Sequence, residues 1–110
     1  MKRHSIGIIG YGNFGAFVYM LLRFFVPWIR VRVFASNHRV TGRKFCSFKR
    51  VCQCDAVILA VPISAYKKVL LRILPLIRKD TIIVDVATVK VHTVRLLRRY
   101  AKGHRWIAIH

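Results

Sequence analysis

The sequence has very few acidic residues. Three Asp plus Glu stand against 21 Lys plus Arg, which gives a formal net charge of +18. A field of that size attracts polyanions such as nucleic acid, anionic membrane or phosphorylated ligands. The basic residues are nevertheless scattered through every segment, and no run of them is longer than three. This distribution is typical of solvated helix faces that lack acidic partners, so nucleic acid is the less favoured partner and polyanion binding remains an alternative.

Cysteine is also scarce, with Cys46, Cys52 and Cys54 as its only occurrences. Three clustered cysteines are too few for a disulfide framework. The pair Cys52 and Cys54 lacks the two-residue spacer of a zinc site, and no second pair follows. We therefore expect small buried thiols in a reducing cytosol, and no metal.

Long uninterrupted apolar runs are missing as well. The apolar stretch after Lys2 and Arg3 contains four glycines, which would unwind a signal helix, and no small-x-small cleavage site follows. The run 14–26 is broken by Arg23, ends at Pro27, and is too short to span a bilayer. We expect a soluble, cytoplasmic protein without a membrane partner.

The chain does contain a regular alternation of short β-branched runs and longer helical stretches, with 55% hydrophobic residues to build a core. It has no repeats or linkers, which predicts one domain over residues 1–110. The predicted strands are 5–9, 29–34, 56–61, 81–86 and 106–109, with a further short extended piece around Phe45. The predicted helices are 13–26, 47–53, 64–74 and 90–102. This order predicts an α/β fold in three layers, a doubly wound parallel sheet of six strands.

A complete G-x-G-x-x-G pattern follows the first predicted strand and opens the first predicted helix. It reads Gly10-Tyr11-Gly12-Asn13-Phe14-Gly15. In a Rossmann fold the first glycine allows the tight turn, the second lets the backbone approach a pyrophosphate, and the third allows close helix–strand packing. The context predicts that these six residues bind a dinucleotide, the alternative being an empty structural turn.

The end of the second strand indicates which dinucleotide. NAD-binding domains place an Asp or Glu there to hold the ribose 2′-hydroxyl. This chain instead reads Ala35-Ser36-Asn37-His38-Arg39, without a carboxylate. Hydrogen-bond donors at Ser36, Asn37 and Arg39 favour a 2′-phosphate, with Arg39 as the main contact, so we predict NADP with NAD as the alternative. An ordinary exposed polar loop would have the same composition.

Ligands in such sheets lie outside the carboxyl ends of the strands. The residues at those ends are Val61-Pro62-Ile63, Ala87-Thr88-Val89-Lys90 and His110. An ordinary N-cap would explain Thr88, a solvated first-turn lysine would explain Lys90, and His110 could be an unimportant terminus. Asp85, inside an apolar strand, is expected to have a structural role, with pairing to Lys90 or ordering of the Thr88 turn as the functional alternative.

Three sequence blocks together resemble the nucleotide-binding domain of prephenate and arogenate dehydrogenases. They are residues 6–15 around the glycine turn, residues 54–63, and Asp85-Val86-Ala87-Thr88-Val89-Lys90. The glycine block occurs in many dehydrogenases. The Asp-x-x-Ser/Thr-x-Lys block, followed about twenty residues later by a histidine at a strand end, is more particular to this family.

The resemblance implies oxidative decarboxylation in tyrosine biosynthesis, with prephenate or arogenate as the small-molecule substrate. Hydride leaves the hydroxyl-bearing ring carbon for the nicotinamide, and loss of carbon dioxide aromatises the ring. His110 takes the position of the family's histidine, which hydrogen-bonds the substrate hydroxyl. Thr88 stands where the family usually has serine, and Lys90 would have a supporting electrostatic role.

Two features depart from the family. The helical domain that forms its dimer and supplies much of the substrate pocket is absent, so the sequence is expected to be a fragment and a homodimer is expected only with that domain. Acidic helix partners are also missing, so we expect self-repulsion at low salt. A non-catalytic NADP-binding module, and a reductase of the pyrroline-carboxylate or 3-hydroxyacid type, remain alternatives, although the arrangement of Thr88 and His110 argues against those reductases.

Overall fold

A computed structural model of the chain describes residues 4–36 and 42–109. Strands and helices alternate through this part of the chain, as the sequence predicts. The strands are β1 (Ser5–Ile9), β2 (Arg30–Phe34), β3 (Ala56–Leu59), β4 (Ile82–Asp85) and β5 (Arg105–Ala108). The helices are α1 (Asn13–Phe25), α2 (Phe48–Cys52), α3 (Ile63–Ile73) and α4 (Lys90–Tyr100).

The strands form one parallel sheet in the order β2-β1-β3-β4-β5. The prediction of a doubly wound α/β fold is confirmed, but the prediction of six strands is wrong for the described residues, which contain five. Phe45 forms only an isolated bridge to Val33 of β2. The chain leaves the sheet directly afterwards, because the hydroxyl of Ser47 accepts the backbone N–H of Arg50 at 3.2 Å and begins α2.

Both faces of the sheet are buried, which completes the three predicted layers. On one face Ile8, Val33 and Ile58 pack with the side chains of α1. On the other face Ile9 and Leu59 pack with α2, α3 and α4. The period of two along each strand sends neighbouring residues to opposite layers, so a central parallel strand must be apolar throughout.

The order in which the chain adds strands to the sheet reverses between β1 and β3: β2 lies on one side of β1, and β3 and the later strands lie on the other. β1 continues into α1 on one face, whereas β3 continues into α3 on the other. The two connections therefore separate at the carboxyl ends of adjacent strands, which is where α/β sheets bind ligands. β3 ends at Leu59, two residues earlier than predicted, so Ala60 and Val61 belong to this connection.

The cysteine side chains match the expectation of buried thiols in part. Cys52 and Cys54 are buried, and Cys46 is half-buried; all three are free. Across residues 4–36 and 42–109, no three His, Cys, Asp or Glu side chains come together in a way that could hold a metal ion. The helices in these two ranges are each too short, or too polar, to cross a bilayer.

Candidate functional site: a cleft at the switch point

The glycine turn between β1 and α1 is shaped by close backbone contacts. Gly10 has a φ of +105°, and a Cβ there would collide with the carbonyl oxygen of Ala60. A Cβ on Gly15 would collide with the carbonyl oxygen of Gly10. Gly10 also donates its N–H to the carbonyl of Phe34 at 2.9 Å, which fixes the turn to the end of β2. Glycine is therefore required at both positions by the fold itself.

Gly12 differs from the other two glycines, because a Cβ there would have no atom within 4 Å from the described residues beyond its chain neighbours and its own helix backbone. It is the N-cap of α1, and its carbonyl accepts the N–H of Ala16 at 2.9 Å. No described side chain caps this helix end, and the first turn contains no acidic residue. The first N–H groups of α1 are thus left for an acceptor from outside, and the helix dipole adds positive potential there. This is the usual geometry of a phosphate site.

The turn opens into a cleft of about 720 Å³. It runs across the carboxyl ends of β2, β1, β3 and β4. The predicted residues that line it are Gly10, Tyr11, Gly12, Asn13, Phe14, Gly15, Ser36, Val61, Pro62, Ile63 and Thr88. The structure therefore brings the glycine turn, the end of β2 and the Thr88 turn to one surface, as predicted.

Four predicted site residues cannot be placed. Asn37, His38, Arg39 and His110 lie outside the residues that the structure describes. Their proposed roles stay predictions from the sequence.

Asp85, at the end of β4, is fully buried and holds the turn that follows it. Its Oδ1 accepts the hydroxyl of Tyr66 at 3.0 Å and the backbone N–H of Ala87 at 3.1 Å. Its Oδ2 accepts the hydroxyl of Thr93 at 2.8 Å and the ammonium of Lys90 at 3.2 Å. Each carboxylate oxygen thus has two donors, which is how a buried charge becomes tolerable.

Burial and the neighbouring carboxylate both act on Tyr66. Removal from water is the larger cause, and the negative charge of Asp85 adds to it; together they raise the pKa of Tyr66 well above its ordinary value of 10.0. The phenol therefore keeps its proton near neutral pH and can donate it to Asp85.

This network decides between the alternatives for Lys90 and Thr88. Lys90 is largely buried against Asp85, with its ammonium also 3.2 Å from the Asp85 carbonyl, so it is not a solvated lysine. The N-cap of α4 is Val89, without a side-chain cap, so Thr88 is not the N-cap either. Thr88 is instead an exposed residue that lines the cleft. Asp85 pairs with Lys90 and also orders the turn through Ala87, contacts that fit the expected structural role as well as the functional alternative.

Tyr11 packs its ring on the α1 side of the sheet although it also lines the cleft. The ring meets Phe45 edge-on with centroids 5.0 Å apart, and it meets Tyr19 in the same manner at 6.3 Å. The ammonium of Lys44 lies 4.8 Å from the ring centroid of Tyr19 and 5.7 Å from that of Tyr11. Cation–π contacts of this kind brace the outer wall of the glycine turn.

Several lining residues were not foreseen from the sequence. They are Phe34, Phe48, Ala60, Val69, Arg72 and Val86. Ala60 and Val86 directly follow strands, so the rule for strand ends could have found them. Phe48, Val69 and Arg72 come from helices whose placement over the end of β2 has no local sequence signal.

Comparison with known proteins identifies the family of this chain. Residues 34–110 match the family model described as the prephenate dehydrogenase nucleotide-binding domain. The glycine turn precedes the matched residues. No curated protein matches the sequence.

Solved structures share the fold at low sequence identity. Prephenate dehydrogenase from A. aeolicus, in complex with hydroxyphenyl propionate and NAD+, superimposes with a TM-score of 0.80 at 15% identity, over 98% of this chain and 41% of its own. NAD-dependent formate dehydrogenase from Staphylococcus aureus, in complex with NAD, has a TM-score of 0.66 at 22% identity, over 97% of this chain and 34% of its own. Glycerol-3-phosphate dehydrogenase from Coxiella burnetii has a TM-score of 0.72 at 17% identity, over 96% of this chain and 39% of its own. The chain thus spans well under half the length of these proteins.

Proposed function

The chain belongs to the family of prephenate dehydrogenase nucleotide-binding domains, and from this membership we propose that it is the NADP-binding part of a prephenate or arogenate dehydrogenase. The reaction would be the oxidative decarboxylation of the substrate ring. The observation that carries the proposal is the cleft itself, which is lined both by the uncapped N-terminus of α1 and by the exposed residue Thr88.

The glycine turn is suited to the cofactor pyrophosphate. Among the described residues, no distant atom lies within 4 Å of the position of a Cβ on Gly12, so two phosphates can approach the backbone there. The free N–H groups of α1 then donate hydrogen bonds, and the helix dipole stabilises the negative charge. The residues present therefore fit a dinucleotide.

The residues at the end of β2 support the proposed preference for NADP. Ala35 and Ser36 stand where an NAD-binding domain has a carboxylate, and Ser36 is exposed on the cleft. Nothing there repels a 2′-phosphate, and we expect Arg39 to bind it. Arg39→Ala should weaken NADP binding and leave NAD binding nearly unchanged; equal losses would show that the 2′-phosphate is bound elsewhere.

At the other end of the cleft, Thr88 is suited to act on the substrate. A dinucleotide held by the glycine turn would supply the oxidised nicotinamide that this reaction needs as its hydride acceptor. The Thr88 hydroxyl would donate a hydrogen bond to the reacting groups, while Asp85 keeps the turn fixed through the N–H of Ala87. His110 would accept the proton of the substrate hydroxyl. The preceding residue, Ile109, donates its backbone N–H to the carbonyl of Asp85 at 2.7 Å.

The choice between prephenate and arogenate belongs to groups beyond these residues. The chain spans 41% of the A. aeolicus enzyme. We propose that a further domain, on the same or on another chain, completes the substrate pocket and forms a dimer.

A thermal-shift titration with NADP and with NAD at moderate salt tests the cofactor site. A ligand that binds only the folded state raises the melting temperature by mass action. We expect a larger rise with NADP at equal concentration. Cooperative melting without a shift for either nucleotide would contradict dinucleotide binding.

Reduction of the nicotinamide in the presence of prephenate or arogenate tests the activity. We expect Thr88→Val to lower turnover about 10-fold or more, and His110→Asn to lower it by roughly 100-fold or more. His92→Asn, on the exposed side of α4, is the matched control. Tight NADP binding without turnover on either substrate would favour the alternative of a non-catalytic NADP-binding module.

A second candidate function is polyanion binding, and a patch on α4 favours it. Arg95, Arg98, Arg99 and Lys102 line a shallow surface groove together with Val91 and Val94. Binding of single-stranded DNA or heparin that falls steeply with salt would support this function. Retention of NADP over NAD, with weak salt dependence, would argue against it.

A further inference from the structure

The end of the cleft beside β2 has an aromatic floor and one guanidinium above it. Phe34, the last residue of β2, meets Phe48 of α2 edge-on, with ring centroids 5.2 Å apart. Arg72, in the last turn of α3, holds its Cζ 3.9 Å from the centroid of Phe48 and 5.8 Å from that of Phe34. A guanidinium held over an aromatic face is oriented before any ligand arrives.

The hydrogen-bonding groups of Arg72 are unused within the described chain. Within the described residues, the guanidinium donates to no acceptor and forms no ion pair. The three acidic side chains of the protein pair with other cations: Asp55 and Asp80 with Arg78, and Asp85 with Lys90. Arg72 is exposed, and it is the only charged side chain among the described residues that line the cleft. Up to five N–H donors thus face a site whose other walls are largely apolar.

A ligand at this end must therefore supply acceptors. The pyrophosphate of the proposed cofactor is taken by the N-terminus of α1, so it does not meet this need. Ser36, two residues beyond Phe34, lines the same cleft and adds a hydroxyl donor. A phosphate monoester offers three acceptor oxygens and a charge close to −2, which suits a planar guanidinium better than the face of a base does.

We propose that Arg72, seated on Phe48 and Phe34 and assisted by Ser36, forms the subsite for the phosphate on the adenosine ribose of NADP. This inference rests on the proposed function, and it adds a specificity residue from a helix far in sequence from the loop after β2. Arg72 reaches the ligand from the α3 side of the sheet, where its guanidinium is already fixed by the stack.

Isothermal titration of the full chain with adenosine 2′,5′-bisphosphate, ADP, NADP and NAD tests the subsite. Arg72→Met keeps a long apolar side chain on Phe48 and removes the charge. We expect it to weaken the two 2′-phosphorylated ligands about 10- to 100-fold, and ADP and NAD about 2-fold or less. Arg72→Lys should recover part of the loss, because it restores the charge without the planar donors.

Arg105→Met is the matched control, since Arg105 is an exposed arginine at the start of β5, outside both the cleft and the basic patch on α4. It should leave all four affinities nearly unchanged. Equal weakening of all four ligands in Arg72→Met would mean stacking on the adenine and would overturn the phosphate subsite, as would no change in any of them. A wild-type chain that binds none of the four would overturn the proposed function as well, so the two failures are distinguishable.

Discussion

The hydroxyl of Tyr66 donates a hydrogen bond to Oδ1 of Asp85 over 3.0 Å, and both side chains are fully buried. This contact joins the middle of α3 to the end of β4. The same carboxylate holds the backbone N–H of Ala87. Packing of α3 and the position of the Thr88 turn are therefore linked through one side chain.

Tyr66→Phe should destabilise the fold by about 1.5–3 kcal/mol, because it removes a hydrogen bond to a buried charge and leaves Asp85 with one donor fewer. Urea unfolding at neutral pH measures this. Tyr100→Phe removes the hydroxyl of a half-buried tyrosine that has no described hydrogen bond, and serves as the control. Equal stability of the two variants would mean that the contact contributes nothing.

The glycines of the turn should separate into two classes when each is replaced by alanine. Gly10→Ala forces a side chain into positive φ and against Ala60, so we expect a loss of about 1–3 kcal/mol or more in stability. Gly12→Ala meets open space and should cost at most about 1 kcal/mol. Its Cβ would instead stand in the path of the pyrophosphate, and NADP affinity should fall about 10-fold or more.

Urea unfolding and NADP titration of the two variants measure these effects. A folded Gly12→Ala chain with unchanged NADP affinity would show that the cofactor does not approach this part of the backbone.

Acid should weaken the protein through Asp55. The N–H of Ser5 donates to this carboxylate at 2.9 Å and Arg78 pairs with it at 2.7 Å, and these contacts, the Ser5 bond first, hold the pKa of Asp55 below its ordinary 3.8. The carboxylate binds protons more weakly in the folded state than in the unfolded state. Its contribution to the free energy of unfolding is therefore complete above the unfolded pKa of about 4, and it is lost as pH falls through the lower pKa of the folded state.

Urea unfolding between roughly pH 7 and pH 2.5 measures this contribution. In Arg78→Met the pKa of Asp55 should rise, and the acid loss should begin at higher pH. Asp55→Asn should flatten the profile, whereas Asp80→Asn, at an exposed site, should alter it little. An unchanged profile in Asp55→Asn would contradict this assignment.

The three thiols should differ in reactivity. Burial raises the pKa of Cys52 to about 11, so only ~10⁻⁴ of it is thiolate near neutral pH. Burial also raises the pKa of Cys54. An aromatic disulfide reagent should label half-buried Cys46 first and reach the other two only on unfolding. Labelling of native Cys46→Ser at the rate of the wild type would overturn this order.

Much of the fold could be predicted, because each strand and helix carries its own local pattern. Alternating buried residues in β2 and the apolar run of β3 were enough to place both. The extended piece around Phe45 misled the prediction, since a short strand forms only where the chain stays beside its neighbour. Ser47 caps α2 and takes the chain away after one bridge.

The site was predictable only where its residues follow a local rule. The glycine turn and Thr88 are local motifs, whereas Arg72 and Phe48 meet from segments 24 positions apart. Helix α1 adds a different difficulty, because both of its faces are apolar. Val18 packs against the sheet while Phe24 remains 77% exposed, and periodicity could not have separated the two.

Salt should stabilise this protein, since its charge of +18 is repulsive and few acids compensate it. Raising ionic strength from about 0.01 M to about 1 M shortens the Debye length from ~30 Å to ~3 Å and removes most of the repulsion between exposed charges. We therefore expect the melting temperature to rise with sodium chloride. Arg95→Glu should raise it at low salt, because a glutamate four residues before Arg99 on α4 forms a favourable helix pair.

Arg95→Gln is the matched control, because it removes the charge without creating the pair. At low salt the melting temperature should be lowest for the wild type, higher for Arg95→Gln and highest for Arg95→Glu. The differences should shrink at high salt, because screening acts on all three proteins. A melting temperature independent of salt would mean that the basic side chains are spaced widely enough to avoid each other. The shortage of acidic residues would then not lower the stability of the fold, and the scattered lysines and arginines would not repel each other measurably.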